Sequence, residues 1–534
     1  MNLDSKLTQL ENAQLVRRID EPDLTFLFKH ALTQESAYQS LLREDRKRLH
    51  RAAGQALERA YPEQLDEIAA LLAQHFELGE DQTKALEYLD RAAEWARRGA
   101  AHREELQLLE RALAIAEQMG NRELAADFHA RRGRAFAMLT MWKEAKHEQE
   151  LALQAIAPAQ IERRAEVLVD LAMVTQLLWN TADSTHYAEE ALGLAEQAGR
   201  RDLAAGAMST LAVVQVSDGH PKASLETYER AFALAGGTRN SYLSYGMDMS
   251  GLALYWIGQH RAAIQRNREA LRVAREIYDS QAIMRGLGNL GLALMASGEY
   301  GEAIKTFDEA VRFGKQHEIG AWLARAMAMR GGLYLELSDY ARAEAIAEEA
   351  RATSRAVKFP PAAVSAAIDL LLNYARRGEL GRADHLVREV AQAIPATYGS
   401  HRWLWELRFT QARAELALAR YQWEEARAAA EEALARSRAT NRVKYEVAAL
   451  GTRAQALLAL NRKGDAIADL KAAVELARPV GDPTMFLRAA TARLHVQGDD
   501  ALAAEARAAV RRIAASLPDE QTRLRFEAFQ AELI

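Results

Sequence analysis

The chain has 534 residues, more than one hydrophobic core supports, so several domains or a repeat array are expected. Only 10 residues are proline and 7% are aromatic, while alanine and leucine are abundant, and this composition favours helices throughout. The 69 basic and 74 acidic residues form no long block of one sign, which argues against nucleic acid or an anionic membrane as a partner.

The first residues show no secretory signal pattern, because MNLDSKLTQL lacks a basic region followed by an apolar run. The longest uncharged stretch, Leu203 to Ser217, is too short to span a bilayer. Cysteine is absent, which excludes disulfides and cysteine-ligated zinc and suits a reducing compartment. We therefore predict a cytoplasmic protein with no membrane partner.

Residues 1–62 differ from the rest and are predicted to form a separate N-terminal arm. Within it, Asp23 to Glu58 resembles the segment that joins the winged-helix-like end of an ATPase module to a helical sensor. The proteins it resembles are the bacterial signal-transduction ATPases with numerous domains, which include adenylate cyclases and maltose-activator-type regulators. The resemblance rests on Phe28, His30, Leu32, Tyr38, Leu41, Leu42, Arg48, Leu49 and His50. It implies a sensor whose ATPase lies in the same polypeptide or in a partner.

The same segment contains a run of five cations with two interpretations. Arg43, Arg46, Lys47, Arg48 and Arg51 could form a nucleic-acid patch. Because Glu44 and Asp45 intervene, a solvated or domain-docking helix face is favoured.

Residues 63–534 are dominated by an internal repeat of about 40 residues. One small or apolar position recurs at Ala112, Ala152, Ala191, Ala231, Ala270, Ala310, Ala350, Val390, Ala433 and Ala473. Within one unit, Tyr242 to Ile257 and Ala262 to Ile277 carry apolar residues at helical spacing, and a turn at Gly258 to His260 separates them. Each unit is therefore predicted to be a helical hairpin.

This pattern resembles the tetratricopeptide repeat in a 40-residue form, over roughly residues 83 to 515. The matching features are a small residue in the first helix, as at Gly251 and Gly291, an aromatic residue after the turn, as at Tyr300, and an alanine early in the second helix, as at Ala303. The resemblance implies an all-α, right-handed superhelical solenoid of about ten hairpins, with a short helical N-terminal arm and C-terminal capping helices.

One motif suggests a cofactor instead. Gly286, Gly288 and Gly291 have the G-x-G-x-x-G spacing of a dinucleotide-binding loop. That loop follows a strand, whereas the preceding residues have a helical pattern, and Gly291 occupies the small-residue position of its repeat. We favour helix packing over cofactor binding.

No catalytic motif was found. There is no P-loop and no G-x-S-x-G sequence, and no two of the 13 histidines lie within four residues of each other, as helix-borne zinc motifs require. The sequence predicts neither an enzyme nor a cofactor or metal site.

The predicted binding surface is the inner wall of the superhelix, formed by the first helices. By resemblance to tetratricopeptide proteins, one stripe of each first helix faces a concave groove that holds a peptide, a protein or another effector. The candidate residues are Tyr245, Asp248, Tyr255, Arg285, Asn289, Arg325, Asp369 and Arg376. The alternative is that these residues line an ordinary hydrated groove.

Two functions of different classes follow. The first is a sensor that binds a ligand in the groove and regulates an attached or partner ATPase, as the resemblance implies. The second is a free-standing adaptor that holds proteins together. An enzyme with an unfamiliar site in the groove is a weaker third hypothesis.

Overall fold

The computed structural model describes residues 3–19, 25–237, 240–397 and 401–531. Together they form 27 α-helices, one 3-10 turn at Pro62–Gln64 and two short strands. The predicted all-α solenoid of helical hairpins is confirmed. Among the helices in these ranges, none is long and apolar enough to cross a membrane.

The chain divides into two compact units, Met1–Arg132 and Gly133–Ile534. The first unit contains α1 Leu3–Asn12, β1 Val16–Ile19, β2 Thr25–Phe28, α2 Ala31–Gln39, α3 Arg43–Ala60, α4 Ala69–Leu78, α5 Gln82–Arg98 and α6 His102–Gln118. Helix α7, Arg122–Met138, contains the boundary between the units. The predicted limit of the N-terminal arm, at residue 62, lies within the first unit.

The N-terminal arm is not purely helical. Strands β1 and β2 pair antiparallel, with Val16 opposite Phe28, because their sequences VRRI and TFLF are rich in the β-branched and aromatic residues that favour strands. The cation run lies on α3, where Lys47 Nζ is 2.8 Å from a carboxylate oxygen of both Glu44 and Glu80. Its positive charge is thus partly balanced within the first unit.

The second unit contains twenty further helices. They are α8 Trp142–Ala155, α9 Ile161–Leu177, α10 Thr181–Gln197, α11 Arg201–Ser217, α12 Pro221–Ala235, α13 Ser241–Trp256, α14 His260–Glu276, α15 Ser280–Ser297, α16 Tyr300–Gln316, α17 Gly320–Glu336, α18 Tyr340–Ala356, α19 Pro360–Arg377, α20 Leu380–Ala396, α21 Arg402–Ala419, α22 Trp423–Ala439, α23 Val443–Ala459, α24 Lys463–Val480, α25 Pro483–Leu494, α26 Asp500–Ser516 and α27 Glu520–Ala531. Odd-numbered helices from α9 to α25 are the first helices of successive hairpins. Each packs on its own partner, and each up to α23 also packs on the next odd-numbered helix.

Most connections between helices are short loops with one residue in the left-handed conformation. Gly258 and Gly298 supply it at φ +85° and +88°, but Ser338 does so at +59°. In all three loops, the next backbone N–H donates to a carbonyl of the last helical turn at 2.9 Å. This Schellman closure gives the hairpins the same tight connection whether or not the sequence has a glycine there.

Hairpins of the second unit also contact hairpins far along the chain. Tyr300 Oη donates to Thr484 Oγ1, Arg342 Nη1 to Thr522 Oγ1 and Arg442 Nη1 to the carbonyl of Trp256, across separations of 184, 180 and 186 residues. With a 40-residue repeat, these separations correspond to between four and five hairpins. The superhelix of this unit therefore completes a turn in about five hairpins, and successive superhelical turns touch.

Candidate functional site

Polar side chains on successive first helices pair at an interval of about one repeat. Asn289 Nδ2 donates to Asp248 Oδ1 at 2.8 Å, and Arg325 Nη2 donates to Asn289 Oδ1 at 2.8 Å. Farther along, Arg408 Nη2 donates to Asp369 Oδ1 at 2.6 Å. We call this series, from Asp248 to Arg408, the polar ladder. Its partners are 36 to 41 residues apart because they occupy the same stripe of neighbouring first helices.

A cavity of about 740 Å³ lies inside this wall, between the first helices α13 to α25. Its volume is within the range of small-molecule sites, roughly 300–1,000 Å³. Six of the eight candidate residues line it: Tyr245, Tyr255, Arg285, Arg325, Asp369 and Arg376. The other two, Asp248 and Asn289, are each 1% exposed and do not line the cavity. Asp248 contacts Arg285, and Asn289 accepts a hydrogen bond from Arg325.

The inner wall is more buried than the open groove expected from the sequence. Tyr245, Tyr255 and Arg285 are only 4%, 7% and 5% exposed. Contacts between superhelical turns add to this burial, since the guanidinium carbon of Arg442 lies 5.3 Å from the ring centroid of Tyr255. His401 lies just before α21, and Trp403 lies in its first turn. Their rings pack against Trp256 at centroid distances of 4.9 and 5.2 Å, and this covers part of the wall. A binding role for the eight residues stays a prediction.

A group of aromatic and charged side chains occupies the α13, α15 and α17 part of the wall. The guanidinium carbon of Arg285 lies 4.4 Å from the ring centroid of Tyr245 and 5.4 Å from that of Trp322, and Arg325 lies 5.6 Å from Trp322. Arg285 Nε is 3.5 Å from Asp248 Oδ2, beyond good hydrogen-bond distance. The two arginines thus share one carboxylate, and we call Asp248, Arg285 and Arg325 the arginine pair site.

The electrostatics of this site reflect its burial. Desolvation, assisted by the charge of Arg285, lowers the pKa of Arg325 to about 10 despite Asp248. Burial also raises the pKa of Asp248, although both arginines oppose this shift. Burial raises the pKa of Tyr245 to about 12, so its phenol is neutral at pH 7.

Elsewhere on the wall, charges are paired more fully. Arg376 contacts both carboxylate oxygens of Glu415, at 2.8 and 3.2 Å. Glu336 lies 2.7 Å from Lys444 Nζ and 3.2 Å from Arg488 Nη2. Burial alone would raise the pKa of Glu336, but the charges of Arg488 and Lys444 hold it well below its ordinary value. These groups are buried ion pairs that fix the first helices against each other.

Several cavity residues were not predicted from the sequence. Trp322 donates to Gln281 and Arg408 donates to Asp369, across 41 and 39 residues, and this spacing of one repeat could have revealed them. Arg442 reaches the cavity through a contact between superhelical turns, for which the sequence pattern has no signal. Lys444 lines the cavity from the first turn of α23. Trp405 also lines the cavity and donates from Nε1 to Ser365 Oγ at 3.1 Å.

The glycine motif belongs to helix packing. All three glycines lie inside α15, which follows another helix, α14. A Cβ on Gly291 would approach the Phe307 ring of α16 to 2.7 Å, whereas one on Gly286 would meet Leu271 at an ordinary 3.6 Å. The packing interpretation of this motif is therefore confirmed at Gly291. Within the described ranges, no three histidine, aspartate or glutamate side chains converge as metal ligands do.

The stacked helical hairpins of the second unit form a repeat solenoid with a tetratricopeptide-like fold. Residues 285–313, which span most of the α15–α16 hairpin, match the tetratricopeptide repeat family. Among solved structures, a Rap protein complexed with Competence and Sporulation Factor is similar, with 13% identity and a TM-score of 0.52 over 66% of this chain and 98% of that chain. This similarity shows the fold alone.

Two further structures are more distant. The apo form of RapI has 15% identity and a TM-score of 0.39, over 50% of this chain and 97% of that one. A STAND protein with a tetratricopeptide repeat sensor from Pyrococcus horikoshii has 14% identity and a TM-score of 0.45, over 81% of this chain and 58% of that one. Comparison with curated protein sequences gave no match.

Proposed function

We propose that the second unit is a non-catalytic domain that binds an effector in its central cavity. One observation carries the proposal: a cavity of about 740 Å³ is lined by seven successive first helices, whose polar side chains converge on it. A ligand there would contact several hairpins at once. Peptide and protein binding are typical of the fold, and a cavity of this size suits a small molecule or a short peptide segment.

We further propose that effector binding regulates a signalling ATPase, either in the same polypeptide or in a partner. The resemblance of Asp23 to Glu58 to the linker of signal-transduction ATPases supports this part. The contacts between superhelical turns offer a means, because a ligand held between the turns changes their spacing. A scaffold that joins proteins without switching them is the alternative hypothesis.

Gly451 gives a direct test of the cavity. It lines the cavity on α23, and a Cβ there would meet no atom within 4 Å, so Gly451→Phe fills space without a clash at its base. Gly193 on α10 has the same open surroundings and does not line the cavity, so Gly193→Phe is the matched control. Native mass spectrometry of the full chain after incubation with a small-molecule cell extract should show a bound mass with the wild type and the control only. A bound mass retained by Gly451→Phe would contradict the proposal.

The proposed regulation of an ATPase by effector binding is tested by a separate measurement. The rate of ATP hydrolysis by the associated ATPase should change when the bound molecule is added to the wild-type chain, and should not change with Gly451→Phe. An unchanged rate with both variants, while the ATPase stays bound, would favour the scaffold.

A further inference from the structure

The charge on the cavity wall is unbalanced. Seven arginine or lysine side chains line the cavity, against three carboxylates. Arg376 with Glu415, and Arg408 with Asp369, are one-to-one pairs. The positive excess therefore lies elsewhere on the wall, and the arginine pair site is one place where it is concentrated.

The internal contacts do not neutralise the arginine pair site. Asp248 Oδ1 accepts from the amide of Asn289, and Asp248 Oδ2 has no hydrogen-bond partner. Arg285 Nε is likewise buried without a hydrogen bond. Arg325 donates to the neutral oxygen of Asn289 rather than to a carboxylate. Asp248 is the one carboxylate for two guanidinium groups, and its contact with Arg285 is 3.5 Å long. One positive charge is therefore left uncompensated away from bulk water, which is costly, so an anion from outside would stabilise this arrangement.

The surroundings of the pair are apolar and aromatic. Trp322 and Tyr245 lie against the guanidinium groups, and Met249, Leu252 and Phe359 continue the cavity wall. A second group of charges on the wall consists of Glu336 with Lys444 and Arg488. Because Arg325 and Glu336 are 11 residues apart on α17, this group lies about 16 Å along the helix from the arginine pair site. One acidic group therefore fits the arginine pair site, and the rest of the ligand faces apolar surface.

We propose that the cavity binds a small organic anion, in which an apolar or aromatic body carries one acidic group that lies between Arg285 and Arg325. This inference rests on the cavity being the binding site of the proposed function. It adds the chemical class of the ligand, and the acidic group is a carboxylate, sulfonate or phosphate.

Two dyes that differ in one group test the proposal on the full chain. Anilinonaphthalene sulfonate has an aromatic body with an anionic group, and N-phenyl-1-naphthylamine has the same rings without the sulfonate. A charge-assisted hydrogen bond contributes about 1.5–3 kcal/mol, so Arg325→Gln should weaken binding of the sulfonate dye about tenfold or more. Binding of the neutral dye should stay within about twofold, since no contact with its apolar body is lost. Fluorescence titration measures both.

A second variant acts in the opposite direction, so loss of folding cannot mimic its effect. Asp248→Asn keeps an oxygen to accept from Asn289 and removes the only carboxylate of the site. It should tighten binding of the sulfonate dye severalfold and leave the neutral dye unchanged. Arg272→Gln is the matched control, because Arg272 is a half-exposed arginine on α14, paired with Glu276. It should change neither affinity.

The outcomes separate the two proposals. Loss of both dyes in Gly451→Phe, together with the two charge effects, is the expected result. If both dyes bind Gly451→Phe as tightly as the wild type, the cavity is not their site and the proposed function is contradicted. If Gly451→Phe blocks both dyes but Arg325→Gln and Asp248→Asn leave the sulfonate dye unaffected, the anion inference alone is wrong.

Discussion

Tyr300 and Thr484 are separated by 184 residues, yet the Tyr300 hydroxyl donates to Thr484 Oγ1 at 3.2 Å. Thr484 in turn donates to Asp482 Oδ1 at 2.9 Å, at the start of α25. Tyr300 is fully buried at the start of α16. The pair fastens one superhelical turn of the second unit to the next.

Tyr300→Phe should lower the free energy of unfolding by about 1 kcal/mol, because a buried hydrogen bond is lost while the ring is kept. Urea denaturation measures the change. Tyr421→Phe is the control, since Tyr421 is 75% exposed, and it should have little effect. Equal stabilities for the wild type and Tyr300→Phe would show that this bond does not hold the turns together.

Gly298→Ala should destabilise the chain more than Gly378→Ala does. Both glycines have positive φ, +88° and +70°, so alanine costs about 1–2 kcal/mol at either. At Gly298 a Cβ would also approach Pro483 of the next superhelical turn to 2.7 Å, whereas at Gly378 nothing lies within 4 Å. Overpacking should add about 1–3 kcal/mol at Gly298. Similar losses for the two variants in denaturant titrations would contradict the contact between turns.

Substitutions in the glycine motif should have opposite effects. Gly291→Ala should destabilise by about 1–3 kcal/mol, because its Cβ would press on the Phe307 ring. Gly286→Ala finds ordinary contact distances inside a helix and should stabilise by about 0.5–1 kcal/mol. Thermal unfolding of both variants checks the packing interpretation, and a destabilised Gly286→Ala would count against it.

The stability of the chain should fall with acid partly through His401. Burial, with the charge of Arg325, lowers the pKa of His401 to about 3 from the ordinary value of 6.5. Between these values the unfolded chain binds a proton that the native chain does not, so stability decreases as the pH falls from about 6.5 towards 3. From about pH 7 to pH 5 the loss is at most about 2 kcal/mol.

His401→Asn isolates this contribution. The variant should lose less stability than the wild type over the same pH interval, as measured by urea denaturation at both ends. The exposed His385 provides the control, and His385→Asn should follow the wild-type dependence. If the His401→Asn and wild-type curves are parallel, His401 does not account for the acid sensitivity.

The repeat could be recognised in the sequence because most hairpins have a small residue at the same place in the first helix. Gly291 illustrates this, since the Phe307 ring fills the space that a side chain would need. The contact between successive superhelical turns could not be predicted from the sequence. It arises from a small rotation at each hairpin interface, and the sum of these rotations, rather than any one residue, brings Thr484 to Tyr300.

The candidate site was also predictable only in part. Arg285, Asn289 and Arg325 were expected from the resemblance to tetratricopeptide proteins, in which this stripe of the first helices faces inward. Their burial and the arrival of His401 and Arg442 depend on the superhelical closure, so the sequence suggested an open groove. The β-hairpin of the N-terminal arm was missed because strands of four residues leave too short a pattern.

The hydrogen bonds between hairpins that lie about half the length of the second unit apart along the chain also affect how this unit unfolds. In most solenoids each repeat touches only its neighbours, so the array melts or frays from its ends and tolerates the deletion of terminal repeats. Here the terminal helices brace central ones through Thr484 and Thr522. Truncation at the C-terminal side should therefore loosen the middle of the array, and the second unit should denature in one cooperative transition rather than by sequential unzipping.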